Sequence, residues 1–468
     1  MIDAARSPAS PSEWLACIAD AQGVRSIEPA LDAPRPSPHL ARWSIEAQPN
    51  DGVEVGRLAI ANRHVLAAAQ DARFLGGAVG AQHARVLQRL FELAKATATP
   101  VLLLLASGGV RLHEANPAEL GLARALRALI DARAAGVPVL AMAIGDVFGG
   151  TSVLACAADR LAMLPGTRLG LSGPKVIATA RGVAEIDPAD RGAIDALFGA
   201  AARAHSGDAD LVTGDAEAMR AWIEGAVAQR VPFVRAVRDE HARLEQRIAA
   251  GRHTATLAWR IPETWHADAT PIDADAGLWR SREGAWIAGA AGDDVVSAQR
   301  LLRLDRALLD RVPDRTAPRP SVVLVEDSRG HEVSRDAEAM CLSRFLAHHA
   351  CVIGLLRHAG VEVRAVLSGQ GHSAAFFANA LQADRVIASA HARVMAMNPE
   401  AVARVTGLDH EALGSCIDHD PVLGHPVRLF ASWGGIAAVV PQVDASTLTL
   451  ALRDTAQSMS DVGSASPP

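Results

Sequence analysis

The chain has 468 residues, half of them hydrophobic and 21% charged, enough for two large α/β cores and inconsistent with a mainly disordered chain. Its net charge of −6 speaks against a general nucleic-acid binder, which would carry a basic surface. Tyrosine is absent and lysine occurs only at positions 95 and 175, so no phenol can act as acid, base or nucleophile, and a Schiff-base lysine has almost no candidate.

Residues 1–50 hold seven prolines and little periodicity, with one short helix expected at 14–21. From Gly56 the pattern becomes regular. Segments 57–61 and 64–68 are short apolar runs around Asn62 and Arg63, and read as a strand pair. Residues 81–96 place apolar side chains at helical spacing. The run at 101–106 is apolar throughout, as a strand covered on both faces requires. Ser107, Gly108 and Gly109 follow, then an amphipathic helix at 118–135. A second buried strand is expected at 137–144, a glycine turn at 145–150, and a helix to 158. Strand, glycine turn and helix in repetition predict a parallel sheet with helices packed around it.

A charged, solvent-facing helix is expected at 236–250 and a domain boundary near 252–270, dividing the chain into 1–255 and 256–468. In the second block, residues 285–291 are expected to begin the sheet, with strands at 322–326 and 361–367. Helices are expected at 337–358 and 373–381, with a glycine turn at 368–372 between strand and helix. Residues 458–468 read as a frayed tail.

The two blocks resemble each other. Gly136 aligns with Gly360 and Gly145 with Gly369 at one common offset, and Asp159-Arg160 aligns with Asp384-Arg385 after a one-residue slip. A repeat of this size predicts two homologous domains.

A glycine turn between strand and helix exposes backbone N–H groups, which can bind phosphate or stabilise a developing oxyanion. Neither turn fits a P-loop or a dinucleotide fingerprint. Two such turns, each after an apolar strand, favour the oxyanion role. His331 and His372 follow glycines in the second block's turns, with His372 the better functional candidate. The remaining histidines show no standard metal spacing, so no metal is expected. Five scattered cysteines, the absence of an apolar leader and the shortness of every apolar run lead us to expect a soluble cytoplasmic protein with free thiols.

Several segments are more specific. SGGVRLHEANPAEL (107–120), ARFLGGAVGAQHA (72–84), VFGGTSVLA (147–155) and RLGLSGPKVI (168–177) occur in that order. Together they resemble the β subunit of malonate decarboxylase, within the crotonase-like carboxyltransferase superfamily. SVVLVEDSRGHEVSRDAEA (321–339) and SGQGHSAAFFANALQADRVIA (368–388) are similar to the γ subunit of the same enzyme. The resemblance implies a fused β–γ chain of two tandem crotonase-like α/β domains. It further implies decarboxylation of a malonyl thioester on an acyl carrier protein to the acetyl thioester. The partners implied are that carrier protein and an α subunit that exchanges acetyl for malonyl, in an oligomeric complex away from the membrane. The thioester is carried on the partner's CoA-like, phosphopantetheine-type prosthetic group, so the chain itself is expected to bind no cofactor and no biotin.

Losing CO2 leaves an enolate, so that reaction needs donors aimed at the thioester oxygen and a proton for carbon. Gly108, Gly109, Gly149 and Gly150 are the candidate donors in the first domain. In the second, the turn from Gly371 through His372, Ser373 and Ala374 to Ala375 would supply the other hole, for the leaving carboxylate. Ser107, Gly371 and His372 are candidate substrate contacts. Arg111 either holds a carboxylate or forms a structural ion pair with Glu114. The sequence departs from the family at Ala374, where glycine is usual, at Gln370 and His372, at Lys175, where glutamate is usual, and in the short loop 145–148. Two alternatives follow: an acyl-CoA carboxyltransferase, or a scaffold subunit in which Ala374 marks a lost activity.

Overall fold

The computed structural model describes residues 8–27, 35–60, 63–250, 258–312 and 321–452. The expected boundary at 255/256 and the tail at 458–468 fall outside them. The first sheet orders its strands as they occur in the chain: β1 (Val24–Arg25), β2 (Val53–Ile60), β3 (Arg63–Gln70), β4 (Val101–Ser107), β5 (Val139–Val147), β6 (Arg160–Met163) and β7 (Asp210–Leu211). The pairings β1–β2 and β2–β3 are antiparallel and the rest parallel.

The second sheet repeats this plan. It runs β8 (Ala269–Asp273), β9 (Leu278–Ser281), β10 (Trp286–Ala288), β11 (Val322–Glu326), β12 (Val363–Leu367), β14 (Arg385–Ser389) and β16 (Ala438–Val440). A separate parallel pair is formed by β13 (Gln370–His372) and β15 (Arg393–Met395). The first two pairings of the main sheet are again antiparallel and the rest parallel. The aligned aspartates do the same work in both copies. Asp159 accepts from the Val139 N–H at 2.8 Å and Asp384 from the Val363 N–H at 3.2 Å, at the starts of the equivalent strands β5 and β12.

Every residue of β4 is buried, which explains its unbroken apolar run. The helix Ala115–Ala134 buries residues around most of its circumference. One side faces its own domain; the other meets the second-domain helix Leu342–His358, with Leu126, Leu129 and Ile130 in the same core cluster as Leu346, Val352 and Ile353. The two domains therefore share one apolar core.

Several boundaries differ from expectation, each for a local reason. The first helix is Pro11–Ile18, set by Ser10 as N-cap and a proline at its start. Strand β5 continues through Gly145 to Val147, because Val147 pairs with Ser107, so the turn is shorter than 145–150. The helix Phe233–Ala250 is not simply solvent-facing: Phe233, Val237, His241 and Leu244 are buried. The second sheet begins at Ala269, earlier than expected, with Pro271 confined to its edge strand. The segment 337–358 is two helices, Arg335–Ala339 and Leu342–His358, broken where Cys341 takes φ 56°. All five cysteines are free thiols. Among the described residues, no helix is long and apolar enough to cross a membrane.

Candidate active site

The first-domain turns are built by glycines pressed against each other. A side-chain carbon on Gly149 would lie 3.0 Å from the Gly109 Cα, and one on Gly109 would lie 3.0 Å from the Gly149 Cα. Gly109 has φ 101°, and Gly149 has φ 61° and ψ −146°. The N–H groups of three candidates are already engaged. Gly108 donates to the Gly76 carbonyl at 2.9 Å, Gly109 to Ser107 Oγ at 3.1 Å, and Gly149 to the Leu171 carbonyl at 3.0 Å. Gly150 opens the helix Gly150–Cys156, where first-turn N–H groups have no intrahelical acceptor. It is the candidate donor that this geometry leaves.

Ser107 and Arg111 serve the fold instead of facing outward. Ser107 is buried, 3.0 Å from Thr151 Oγ1, and accepts from Gly109. Arg111 is 1% exposed. Its guanidinium bonds Asp51 Oδ1, Glu114 Oε1 at 3.0 Å, and the carbonyls of Asp51 and Ala78 at 3.1 and 3.0 Å. The expectation that Arg111 holds a substrate carboxylate is corrected by this burial; the ion-pair alternative is what the structure contains.

The second turn repeats two backbone hydrogen bonds of the first. Val79 donates to the Gly109 carbonyl and Arg111 to the Val79 carbonyl; Val296 donates to the Gly330 carbonyl and Glu332 to the Val296 carbonyl. Gly330, at φ 94°, thus stands where Gly109 stands, and His331 stands where Val110 does. At the offset of the aligned glycines, Ser373 corresponds to Gly149 and Ala374 to Gly150. Ser373 repeats the left-handed backbone with φ 57°. Ala374 does not share it, and it is buried with the core. The methyl at 374 therefore causes no left-handed backbone strain. Gly371 lies in β13, opposite Val394, where a side chain would meet the Phe376 ring. His372 precedes the helix Ser373–Ala378, and burial and the nearby His425 push its pKa down to about 4.

The two domains meet at these turns. The first-domain residues Leu171 and Ser172 donate their N–H groups to Glu338 of the second domain at 3.0 and 2.6 Å. Ser172 Oγ lies 3.1 Å from His331 Nε2, and His331 Nδ1 lies 3.2 Å from Ser373 Oγ. Ser152 Oγ and Ser343 Oγ are 2.7 Å apart beside them. Burial pushes His331 down to about 4 and Glu338 up to about 7. Sequence reasoning ranked His372 above His331, yet His331 has partners in both domains. Ser172 and Glu338 were missed. Ser172 sits within the recognised 168–177 segment, but no spacing pairs residues this far apart in the chain.

Residues 39–249 match the family described as carboxyl transferase domain, and residues 294–466 match that described as malonate decarboxylase gamma subunit. The chain belongs to the malonate decarboxylase–carboxyltransferase family. Its fold is two tandem crotonase-like domains.

The family relatives are of two kinds. The malonyl-S-ACP:biotin-protein carboxyltransferase MADC of Malonomonas rubra is 29% identical over 196 residues, 38% of this chain and 61% of that protein. The acetyl-coenzyme A carboxylase carboxyl transferase subunits beta/alpha of Salinispora arenicola are 26% identical over 436 residues, 84% of this chain and 73% of that protein. Among solved structures, a chain of a Pseudomonas malonate decarboxylase hetero-tetramer in complex with malonate is 31% identical, with a TM-score of 0.49, covering 54% of this chain and 94% of that one.

Two further features lie along the domain seam. An apolar pocket lined by Leu112, Ala115, Met395, Met397, Val402 and Leu423 opens between the domains. Met395 pairs with His372 in the β13–β15 ribbon, which puts the pocket beside the second turn. Among the described residues, no group of three or more His, Cys, Asp or Glu is placed to hold a metal.

The seam also buries two carboxyls, Glu119 from the first domain and Glu326 from the end of β11. Glu326 accepts from Asn379 at 2.7 Å and Ser328 at 2.9 Å, whereas Glu119 Oε2 has no hydrogen-bond partner. Burial, then the neighbouring Glu326, raises Glu119 to about 8; burial raises Glu326 to about 7. A raised carboxyl pKa makes the folded state hold a proton that the unfolded chain releases. That contribution is complete below pH 4.5 and is lost as pH rises toward 8. We expect Glu119→Gln to raise stability at pH 8 by on the order of 2 kcal/mol and to flatten the fall in melting temperature between pH 5 and 8. An unchanged pH dependence in thermal unfolding would rule out this origin.

Proposed function

We propose that this chain decarboxylates a malonyl thioester, held on the phosphopantetheine-type arm of an acyl carrier protein, to the acetyl thioester. It would act as the β–γ component of a malonate decarboxylase complex, with the carrier protein and an α transferase subunit as partners. The observation that carries this reading is the presence, in one chain, of a carboxyl transferase match followed by a malonate decarboxylase gamma match. The similarity to a carboxyltransferase whose named donor is malonyl-S-ACP supports the substrate class.

The chemistry requires no protein nucleophile. The C–CO2 bond breaks, CO2 leaves, and the electron pair spreads onto the thioester oxygen as an enolate. The Gly150 N–H, at the start of its helix, is the first-domain donor we assign to that oxygen. The equivalent second-domain position, Ala374, keeps its N–H, and we assign it to the leaving carboxylate. Biotin is not required for decarboxylation and is not expected here.

Proline tests the first donor. At a helix's first position proline is tolerated; it removes the N–H and adds ring carbons, the first of which runs toward Leu122 as an alanine carbon would. Gly150→Ala adds a side-chain carbon toward Leu122 but keeps the N–H. With malonyl-carrier protein as substrate, we expect Gly150→Pro to lose about 10²–10³-fold in kcat and Gly150→Ala to lose far less. Melting curves check that both fold. Equal losses in two folded variants would remove Gly150 as a donor. Gly109 is unsuited to this test, since its φ of 101° excludes proline.

A second reading is favoured by one observation: the acetyl-coenzyme A carboxylase relative aligns over 84% of this chain. In that case the carboxyl group would pass to a biotin carried elsewhere. Biotin-dependent turnover of free CoA esters, with no decarboxylation of the carrier form, would establish it. Tight binding of the malonyl-carrier protein without turnover would instead point to a scaffold.

A further inference from the structure

We propose that His331 relays a proton across the domain interface to Ser373, which delivers it to the carbon that CO2 leaves. This rests on the decarboxylase reading and adds the proton source that reading lacks.

The geometry is a short chain linking the two turns. Gly149 of the first turn donates to the Leu171 carbonyl. The next residue, Ser172, places its hydroxyl 3.1 Å from His331 Nε2. The other ring nitrogen is 3.2 Å from the hydroxyl of Ser373, in the second turn. A neutral imidazole between two hydroxyls can accept a proton at one nitrogen while releasing one from the other. His331 is held in that neutral form by burial.

The internal repeat shows that this device belongs to the second copy alone. The first domain has Val110 where the second has His331, and Gly149 where the second has Ser373. Ser373 also sits at φ 57°, a conformation that disfavours residues other than glycine, asparagine and aspartate. A serine kept in such a conformation at a turn where the sister domain has glycine points to a use for its hydroxyl. The two turns then divide the labour. The first holds the oxyanion and the second supplies the proton.

The transfers balance. As the enolate carbon forms its new C–H bond with the Ser373 hydroxyl proton, Ser373 takes the Nδ1 proton of His331. Nε2 takes the Ser172 hydroxyl proton. Because Ser172 is buried and Ser373 is partly exposed, the chain resets from the Ser373 end after the product leaves, water protonating Ser373 as Ser373 returns a proton to Nδ1 and Nε2 returns one to Ser172. The hydroxide left behind combines with CO2 as bicarbonate. Ser373 is the catalytic residue here; His331 and Ser172 act through it as positioning and relay residues.

The test uses the full chain with its carrier protein, comparing wild type, His331→Gln and Ser373→Ala. Glutamine can bond both serine hydroxyls, donating to one and accepting from the other, but it cannot relay a proton. Two readouts are taken: steady-state decarboxylation of malonyl-carrier protein, and deuterium exchange into the methyl group of acetyl-carrier protein in D2O, followed by mass spectrometry. Both variants are expected to lose about 10²-fold or more in kcat and in exchange, with KM within about twofold of wild type. Wild-type exchange and turnover in a folded His331→Gln would overturn the relay and leave a structural bridge. If that variant does not fold, Ser373→Ala decides alone, and its wild-type exchange overturns the proposal. A wild type that neither decarboxylates nor exchanges would fail the decarboxylase reading itself, and the relay with it.

Discussion

Gly149→Ala is expected to lower kcat/KM for a malonyl thioester by at least about 10²-fold and to lower the melting temperature as well. The backbone at this position has φ 61° and ψ −146°, a region that L side chains essentially do not occupy, with a cost of about 1–3 kcal/mol. The added carbon would also lie 3.0 Å from the Gly109 Cα, which belongs to the backbone and cannot swing aside. Relief requires the two turns to part. Parting them shifts the Gly149 N–H from the Leu171 carbonyl and carries Gly150 with it. A displacement of about 1 Å at a reacting group is enough for a 10²-fold loss. The second domain tolerates a side chain at the equivalent place because its turns stand further apart: a carbon on Gly330 would be 3.7 Å from the Ser373 Cβ. Steady-state kinetics and thermal unfolding on the same preparation check the expectation. Wild-type values in both would show that the two turns are not coupled.

Arg111→Ala is expected to destabilise the first domain by about 3–5 kcal/mol, because it leaves two buried acids without their cation. Asp51 and Glu114 share that cation, and each also holds the start of the helix Ala81–Thr97. Asp51 accepts from the His83 N–H at 2.9 Å and Glu114 from the Ala81 N–H at 3.0 Å. Arg111 in turn bridges the carbonyls of Asp51 and Ala78. Losing it loosens the glycine segment before the helix and the turn after β4 together. Arg111→Lys keeps the charge but cannot reach four acceptors from one planar fork, so we expect an intermediate loss. Unfolding measurements on both variants separate this role from substrate binding. A raised KM with unchanged stability in Arg111→Lys would restore the carboxylate-holding role.

Much of the fold was legible because it depends on local pattern. The apolar run of β4, the helical spacing after Ala81 and the glycines at strand ends each reflect burial or backbone geometry within a few residues. The repeat was legible for the same reason. Asp159 and Asp384 each tie off the start of a neighbouring strand, so they recur with the strands. The short edge strands were not legible: β8 contains a proline and lies at the rim, where apolar alternation is weak. The solvent-facing reading of Phe233–Ala250 erred because the partner that covers Val237 and Leu244 comes from the other domain.

The site divides in the same way. Sequence alone determined which residues form the two turns, since glycines at the ends of buried strands are local necessities of the backbone. It also determined the family, through motifs that keep their order along the chain. It did not reveal that three of the four candidate N–H groups are already bonded, that Arg111 is enclosed by two acids, or that His331 and not His372 joins the domains. Those outcomes depend on which surfaces two folded domains bring together. A hydrogen bond such as Ser172 to His331 forms only after the shared core between Ala115–Ala134 and Leu342–His358 has set the domains in register. Contacts of that kind leave no period or spacing in the sequence, because the residues that make them are related by packing and not by position along the chain.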